Sequence, residues 1–380
     1  MTSAFNLKNY TTYVPLLVIL GAMMFLNNRY TDKLNREKTI EDYSAIQKYL
    51  LTDSDLGDNK KPIMWIPINY EYNSRNWLSF GSRSSFELNQ PYLYLTVKSI
   101  ISQNEDSFHI CMIDDKSFSK LLPEWSIDMT TISSPVSDYI RTLGLTKLVY
   151  KYGGIIVPPS FLCMKDLSEM YRVGSSNHKM FICENVDRNV TSSHHDFSPD
   201  ISFMGADKEC VSVKELIDFM QRTISSDYTS QIEFLGEFDR WCDYRIKKQQ
   251  INLIDGKLIG TKTMDNTPIL VDDLLSNEYI DLYPQTYGIY IPATEILNRR
   301  HYEWFARLSA KQVLESKIII SKYILLANTP KLKKGTIEPL ENKPGWVKYW
   351  QVPSGFGLWG LKPNYLGNKV RSSDSENAFE

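Results

Sequence analysis

The clearest pattern of apolar and polar positions lies in the middle of the chain, where a helical period gives way to a short apolar run. Ser134 or Ser137 can cap a helix start. Apolar residues then recur at helical spacing on one face: Ile140, Leu143, Leu148, Val149 and Tyr152. Gly153 follows as a C-cap, and residues 154–157 form an apolar run typical of a buried parallel strand. Pro158 and Pro159 end the strand, because neither ring nitrogen can donate to a β-ladder.

The preceding hundred residues alternate between strand and helix patterns. Residues 63–68 predict a first strand and residues 69–77 a polar loop. Asn89 can cap a helix whose apolar positions recur at i, i+4, i+7 and i+8: Leu93, Val97, Ile100 and Ile101. Residues 108–113 predict a second strand, which ends in Asp114 and Asp115. This order predicts right-handed βαβ units and an α/β fold with a mostly parallel sheet flanked by helices.

The ends of the predicted strands carry the candidate binding residues. Ligands of open parallel sheets bind beyond the carboxyl ends of the strands. We therefore expect residues 69–75, 114–115 and 158–160 to meet at one crevice.

After residue 165 the patterns predict further strands at 179–184 and 201–206 and helices at 213–222 and 234–248. Asp255 and Gly256 form a hairpin-turn signal within residues 251–259. Residues 318–326 are apolar and fit either a strand or a buried helix. Together these elements extend the predicted globular domain over residues 62–330.

A long uncharged stretch near the N-terminus predicts a transmembrane helix. Residues 9–28 hold no charged side chain, and 20 helical residues are just long enough for a hydrocarbon core of about 30 Å. We predict a short tail at 1–9, an anchor at 10–28, a polar helical stem and linker at 29–61, and an aromatic C-terminal segment with a disordered end at 331–380. More Lys and Arg follow the span than precede it, which favours a single-pass protein with its large domain in the cytoplasm; a lumenal domain is the alternative. A short buried or interfacial helix is the competing interpretation of the span.

Composition narrows the class of protein. The 380 residues are 42% hydrophobic, enough to bury one large core or two modest ones. A formal net charge of −2 argues against nucleic acid as a partner. The five cysteines show neither a CxxC pair nor Cys/His ligand spacing, so the sequence does not support a zinc site.

The central helix and strand carry a motif with chemical meaning. Asp138 and Arg141 are three residues apart and share one helix face, just ahead of the sequence Tyr-Gly-Gly that ends at Gly154. The stretch from 138 to 157 resembles the DXD sugar-transferase family, which has the GT-A fold and includes secretory-pathway hexosyltransferases and clostridial glucosylating toxins. In that family an Asp-x-x-Arg helix leads into Tyr-Gly-Gly, a strand and Asp-x-Asp. An ordinary ion pair on a solvated helix is the alternative interpretation of Asp138 and Arg141.

The resemblance implies a role for each matching position. Asp138 and Arg141 would contact the hydroxyls of a donor sugar, and Gly153 and Gly154 would form the motif backbone. The first two strand ends would hold the nucleoside through Asn69, Asp114 and Asp115. For the two acids, strand-end capping and turn formation is an equally good interpretation.

The resemblance fails where the family binds its metal. Pro158 and Ser160 stand in place of the two metal-binding aspartates. We therefore expect no divalent metal and no metal-dependent catalysis, because two prolines and one hydroxyl offer too few hard oxygen ligands. Basic side chains could replace the cation on the donor diphosphate, and the candidates are Arg75, Arg83 and Lys165. The alternative, which we favour, is that the diphosphate site is lost.

Two functions of different class fit these features. The first is a membrane-anchored glycosyltransferase-like protein that binds or transfers a sugar from a nucleotide-sugar donor to a glycan acceptor. The second is a non-catalytic membrane or virion assembly scaffold that retains the fold, since a degenerate motif, an Asn- and Lys-rich composition and a membrane anchor together would suit a large DNA virus. Bound nucleotide sugar discriminates the two.

Overall fold

The computed structural model describes residues 61–68, 90–132, 135–189, 192, 194–226 and 236–333. The predicted tail, anchor and C-terminal segment lie almost entirely outside these ranges, as do Asn69, Arg75, Arg83 and Asn89. Within the described ranges, none of the helices combines the length and the apolar composition of a transmembrane segment.

The N-terminal half of the described chain follows the predicted order. Strand β1 (Ile63–Pro67) leads to α1 (Leu93–Asn104) and β2 (His109–Ile113), and a short α2 (Ser117–Leu121) precedes α3 (Val136–Tyr152) and β3 (Gly154–Ile156). Strand β1 pairs in parallel with both β2 and β3. The predicted βαβ arrangement is therefore confirmed.

The second half completes a mixed sheet of six strands. After β4 (Phe161–Cys163) and α4 (Ser168–Gly174) come β5 (Phe181–Val186), β6 (Phe197–Ala206), α5 (Val211–Ser225), α6 (Glu237–Lys247) and β7 (Asn252–Ile254). The strand order is β2-β1-β3-β6-β5-β7, with β6 antiparallel to both of its neighbours and the other pairs parallel. Mixed sheets are common among large α/β folds, and here the antiparallel strand is an interior one.

A smaller helical layer packs beside the sheet. It holds β8 (Gly288–Tyr290), which pairs with β4, and helices α7 (Val271–Leu275), α8 (Ala293–Asn298), α9 (Glu303–Ala306), α10 (Ala310–Glu315) and α11 (Ile319–Lys333). Its apolar core includes Tyr92, Leu162, Phe305 and Ile320, all with essentially no exposed surface. This core contains residues from α1 and β4, so it packs directly on the elements of the sheet domain.

Two sequence-based predictions were wrong in detail, and one open alternative was settled. The cap of α3 is Pro135, and Ser137 lies inside the helix. The Asp255 and Gly256 signal does not form a hairpin: Asp255 caps a 3-10 turn, Gly256–Ile259, through a bond from the Lys257 amide, and β7 pairs in parallel with β5. Residues 319–326 fall in helix α11 and Ile318 directly precedes it, so the buried-helix alternative for this apolar run is confirmed.

The junction of α3 and β3 depends on two consecutive glycines. Gly153 ends the helix at φ 75°, and Gly154 begins the strand at φ 106°. A Cβ on Gly154 would meet the carbonyl oxygen of Ile63 on β1. The backbone of β3 can therefore reach its neighbour only because this position has no side chain.

Candidate functional site

Strands β1, β2 and β3 are parallel, so their carboxyl ends lie together at one edge of the sheet. Strand β5 also ends at this edge and β6 begins there, because β6 runs antiparallel to both β3 and β5. Helix α3 runs back toward β3, so its N-terminal turns lie at the same edge. We call this edge the carboxyl edge.

Arg141 links the first turns of α3 to the end of β2. Its Nε lies 2.7 Å from Oδ1 of Asp115 and its second terminal nitrogen lies 2.8 Å from Oδ2, so the pair is bidentate. The other terminal nitrogen lies 2.9 Å from Oδ1 of Asp138. The Arg141 side chain is 18% exposed, that of Asp115 34% and that of Asp138 61%. Arg141 and Asp138 are thus at the carboxyl edge, and their ion pair is one part of a three-residue array.

Asp114 has a local structural contact. Its Oδ1 accepts hydrogen bonds from the backbone amide of Ser117 at 2.9 Å and from the Ser117 hydroxyl at 2.5 Å. This is the strand-end turn that the sequence left open as an alternative. The two adjacent acids therefore differ: Asp114 holds the turn before α2, and Asp115 holds Arg141.

The segment that replaces the metal motif is packed into the fold. Pro158 is buried, and its carbonyl oxygen accepts the amide of Phe161 at 3.0 Å. The carbonyl oxygen of Pro159 accepts a hydrogen bond from the Thr96 hydroxyl at 2.5 Å. The carbonyl oxygen of Ser160 accepts one from the backbone amide of Ile291 at 3.3 Å. Ser160 is only 4% exposed. The backbone hydrogen bonds of this segment therefore hold the start of β4 against α1 and β8 in the interior of the fold.

Two residues near this segment in sequence lie elsewhere in space. The ammonium group of Lys165 donates to the carbonyl oxygen of Pro284 at 3.1 Å. Asp166 accepts from the Ser107 hydroxyl and from the amide of Ser168. Because Ser107 precedes β2, Asp166 lies toward the amino edge of the sheet. The described contacts therefore do not bring Lys165 or Asp166 to the strand ends.

A second polar group at the carboxyl edge centres on Asp239, in the first turn of α6. Its carboxylate accepts the backbone amide of Ile201 at 3.2 Å and the side-chain amide of Asn189 at 3.4 Å. Loss of hydration, with the nearby Asp200 and Asp187 carboxylates, raises the pKa of Asp239 to about 7. A carboxyl group with this pKa can exchange a proton near neutral pH.

Asp239 is tied to the helix that carries the sugar-binding candidates. Tyr139 follows Asp138 on α3, and its hydroxyl oxygen accepts a hydrogen bond from the backbone amide of Gly236 at 3.1 Å. The Tyr139 and Phe238 rings pack edge to face at 4.5 Å. The N-termini of α3 and α6 are therefore fixed against each other.

The end of β5 extends the polar edge toward β8. Asn185 donates to Asp200 at 2.7 Å. Arg188 donates to Glu295 on α8 at 2.7 Å, and Arg299 reaches the other oxygen of Glu295 at 3.2 Å. The Glu295 side chain is 6% exposed, and the two guanidinium groups compensate its buried charge.

The described acids of this edge do not form a metal centre. Among the described residues no group of three or more His, Cys, Asp or Glu side chains converges in a way that could hold an ion. The five cysteines are buried and unpaired, as expected of reduced core cysteine.

Sequence reasoning did not find Asp239, Asn185 or Arg188. They come from two separate segments, the end of β5 and the start of α6, and no spacing in the chain relates Asp239 to the other two. The available signal was weak: Asp239 is one of two acids in the first turn of a polar helix, a position that ordinarily indicates only helix-dipole stabilisation.

No protein-family model matches this chain, and no curated protein matches it significantly.

Proposed function

We propose that this protein binds a nucleotide sugar at the carboxyl edge and acts as a glycosyltransferase-like protein without a divalent metal. The observation that carries the proposal is the position of Asp138 and Arg141. They lie at the carboxyl edge beside the end of β2, where ligands of such sheets bind. A carboxylate and a guanidinium held together are well suited to accept from and donate to sugar hydroxyls.

The chemistry of the neighbouring residues supports transfer as well as binding. Asp239 has a pKa near 7 and lies on the helix that contacts Tyr139. A carboxylate of that basicity could take the proton of an acceptor hydroxyl on a glycan. In this proposal the donor stays bound without Mn²⁺ or Mg²⁺, and the membrane is the other partner through residues 10–28.

Calorimetric titration of the full chain with UDP-glucose and GDP-mannose tests the proposal. We expect binding that is unchanged by Mn²⁺ or by EDTA and that weakens at least tenfold in Arg141→Lys, since lysine has no planar fork. Glu169→Gln is the control, because Glu169 forms a 4.0 Å ion pair with Arg172 on exposed α4. Binding that requires Mn²⁺ would refute metal independence.

One observation favours the second candidate, a scaffold that has kept the fold. The segment at the lost metal motif is committed to structural hydrogen bonds, and Ser160 is buried. If neither sugar nucleotide binds the wild-type chain or raises its thermal midpoint, the scaffold function is preferred.

A further inference from the structure

Asp115 is the residue whose role changes most between sequence and structure. By resemblance it is a candidate for holding the nucleoside. In the fold both of its carboxylate oxygens face Arg141, at 2.7 and 2.8 Å. A bidentate pair of this kind fixes the plane of the guanidinium as well as its distance.

The ion pair restricts the Arg141 side chain because it joins two separate elements of the fold. Its side chain starts on α3, and Asp115 follows β2, 26 residues earlier in the chain. An unrestrained arginine side chain samples many rotamers and loses that freedom when a ligand fixes it. Asp115 removes that freedom before a ligand arrives, which is how a supporting residue lowers the cost of binding.

The pair also sets the local charge. One guanidinium and the two carboxylates of Asp115 and Asp138 give the array a formal charge of −1. The adjacent Asp114 adds another carboxylate at the end of β2. An uncharged sugar meets only hydrogen-bonding groups there, whereas a sugar that carries a carboxylate meets repulsion.

We propose that Asp115 is a positioning residue that orients Arg141 and neutralises its charge, so that the carboxyl edge accepts an uncharged sugar and rejects an acidic one. This inference rests on the proposed function for its ligand. The orientation of Arg141 by Asp115 is independent of any ligand and can be measured separately.

The first experiment reads the Arg141 side chain directly. In full-length protein labelled with ¹⁵N-arginine, the Nε–H resonance of Arg141, assigned by its loss in Arg141→Lys, should be sharp and protected from exchange. Asp115→Asn should broaden or remove this protected signal, because the NH₂ group of asparagine would replace one accepting oxygen and face an N–H group of Arg141. Glu169→Gln should leave it unchanged. A protected Arg141 signal that persists in Asp115→Asn overturns the positioning role.

The second experiment reads sugar selection. Wild-type protein should bind UDP-glucose at least tenfold more tightly than UDP-glucuronate, and Asp115→Asn should reduce that ratio about tenfold, as expected for removal of one charge from a partly exposed site. A change in protein stability alone would weaken both ligands equally and leave the ratio fixed. An unchanged ratio therefore overturns the charge argument.

A double-mutant cycle separates positioning from direct contact. If Asp115 acts through Arg141, then Asp115→Asn adds little to the loss of UDP-glucose affinity already caused by Arg141→Lys. Additive losses would mean that Asp115 contacts the ligand itself, contrary to the proposal. If wild-type protein binds neither sugar nucleotide, the proposed function and the sugar selection both fail, and the arginine resonance still decides whether Asp115 positions Arg141.

Discussion

The ionisation of Asp239 gives the sharpest test of the structure. Replacing Asp239 with Asn keeps the shape of the side chain and an oxygen that can accept the Ile201 amide. It removes the carboxyl group whose pKa is raised from 3.8 to about 7 by burial and by Asp200. We expect this substitution to change how stability depends on pH.

The sign follows from the protons bound by each state. Between about pH 4 and pH 7 the unfolded chain has released the Asp239 proton, whereas the folded protein keeps it. The folded state therefore binds more protons, and its stability falls as pH rises through this window. The contribution is fully present below about pH 4 and is lost above about pH 7.

The magnitude can be bounded. A difference of about three pKa units corresponds to roughly 4 kcal/mol. By linkage this is also the most that the pH-dependent difference between the two proteins can reach. Asp239→Asn should be nearest to the wild type in stability at the acid end of the range and should gain up to about 4 kcal/mol on it by pH 8.

Urea denaturation at several pH values between 4.5 and 8, followed by tryptophan fluorescence, measures the difference between the two proteins. Other carboxyl groups contribute to both curves and cancel in that difference. Asp218→Asn, on the exposed face of α5, is the control and should show a difference that does not vary with pH. A similarly constant difference for Asp239→Asn would show that Asp239 ionises normally and that the reasoning is wrong.

Three further outcomes are expected. Gly154→Ala should lower the yield of folded protein and the stability by more than about 3 kcal/mol, measured by thermal denaturation, because the new methyl group meets the Ile63 carbonyl at φ 106°; a stable variant would contradict the tight β1–β3 junction. Glu295→Gln should lower the free energy of unfolding, measured by urea denaturation, by roughly 2 to 3 kcal/mol, since it leaves Arg188 and Arg299 without the buried charge that they share; Glu169→Gln should lower it little. Carbonate extraction should leave the full chain in the membrane pellet, and release into the supernatant would refute the predicted anchor at 10–28.

Much of the first half of the fold could be predicted from local pattern alone. The helical period through Ile140, Leu143 and Leu148, followed by Gly153, determines α3 and its end, because amphipathic spacing and a C-cap glycine act within a few residues. The apolar runs at β1 and β2 are likewise local signals, and strands in a βαβ order pair in parallel. The same local information placed Asp138 and Arg141 on one face.

The tertiary structure decided which charges meet. Asp114 and Asp115 are indistinguishable in sequence, yet one caps a turn and the other holds Arg141 from a helix 26 residues away. Asp239 gained its raised pKa only because β5, β6 and α6 converge around it. Periodicity is a property of neighbouring residues along the chain, whereas ionisation and ion pairing depend on distance and burial, which long-range packing sets.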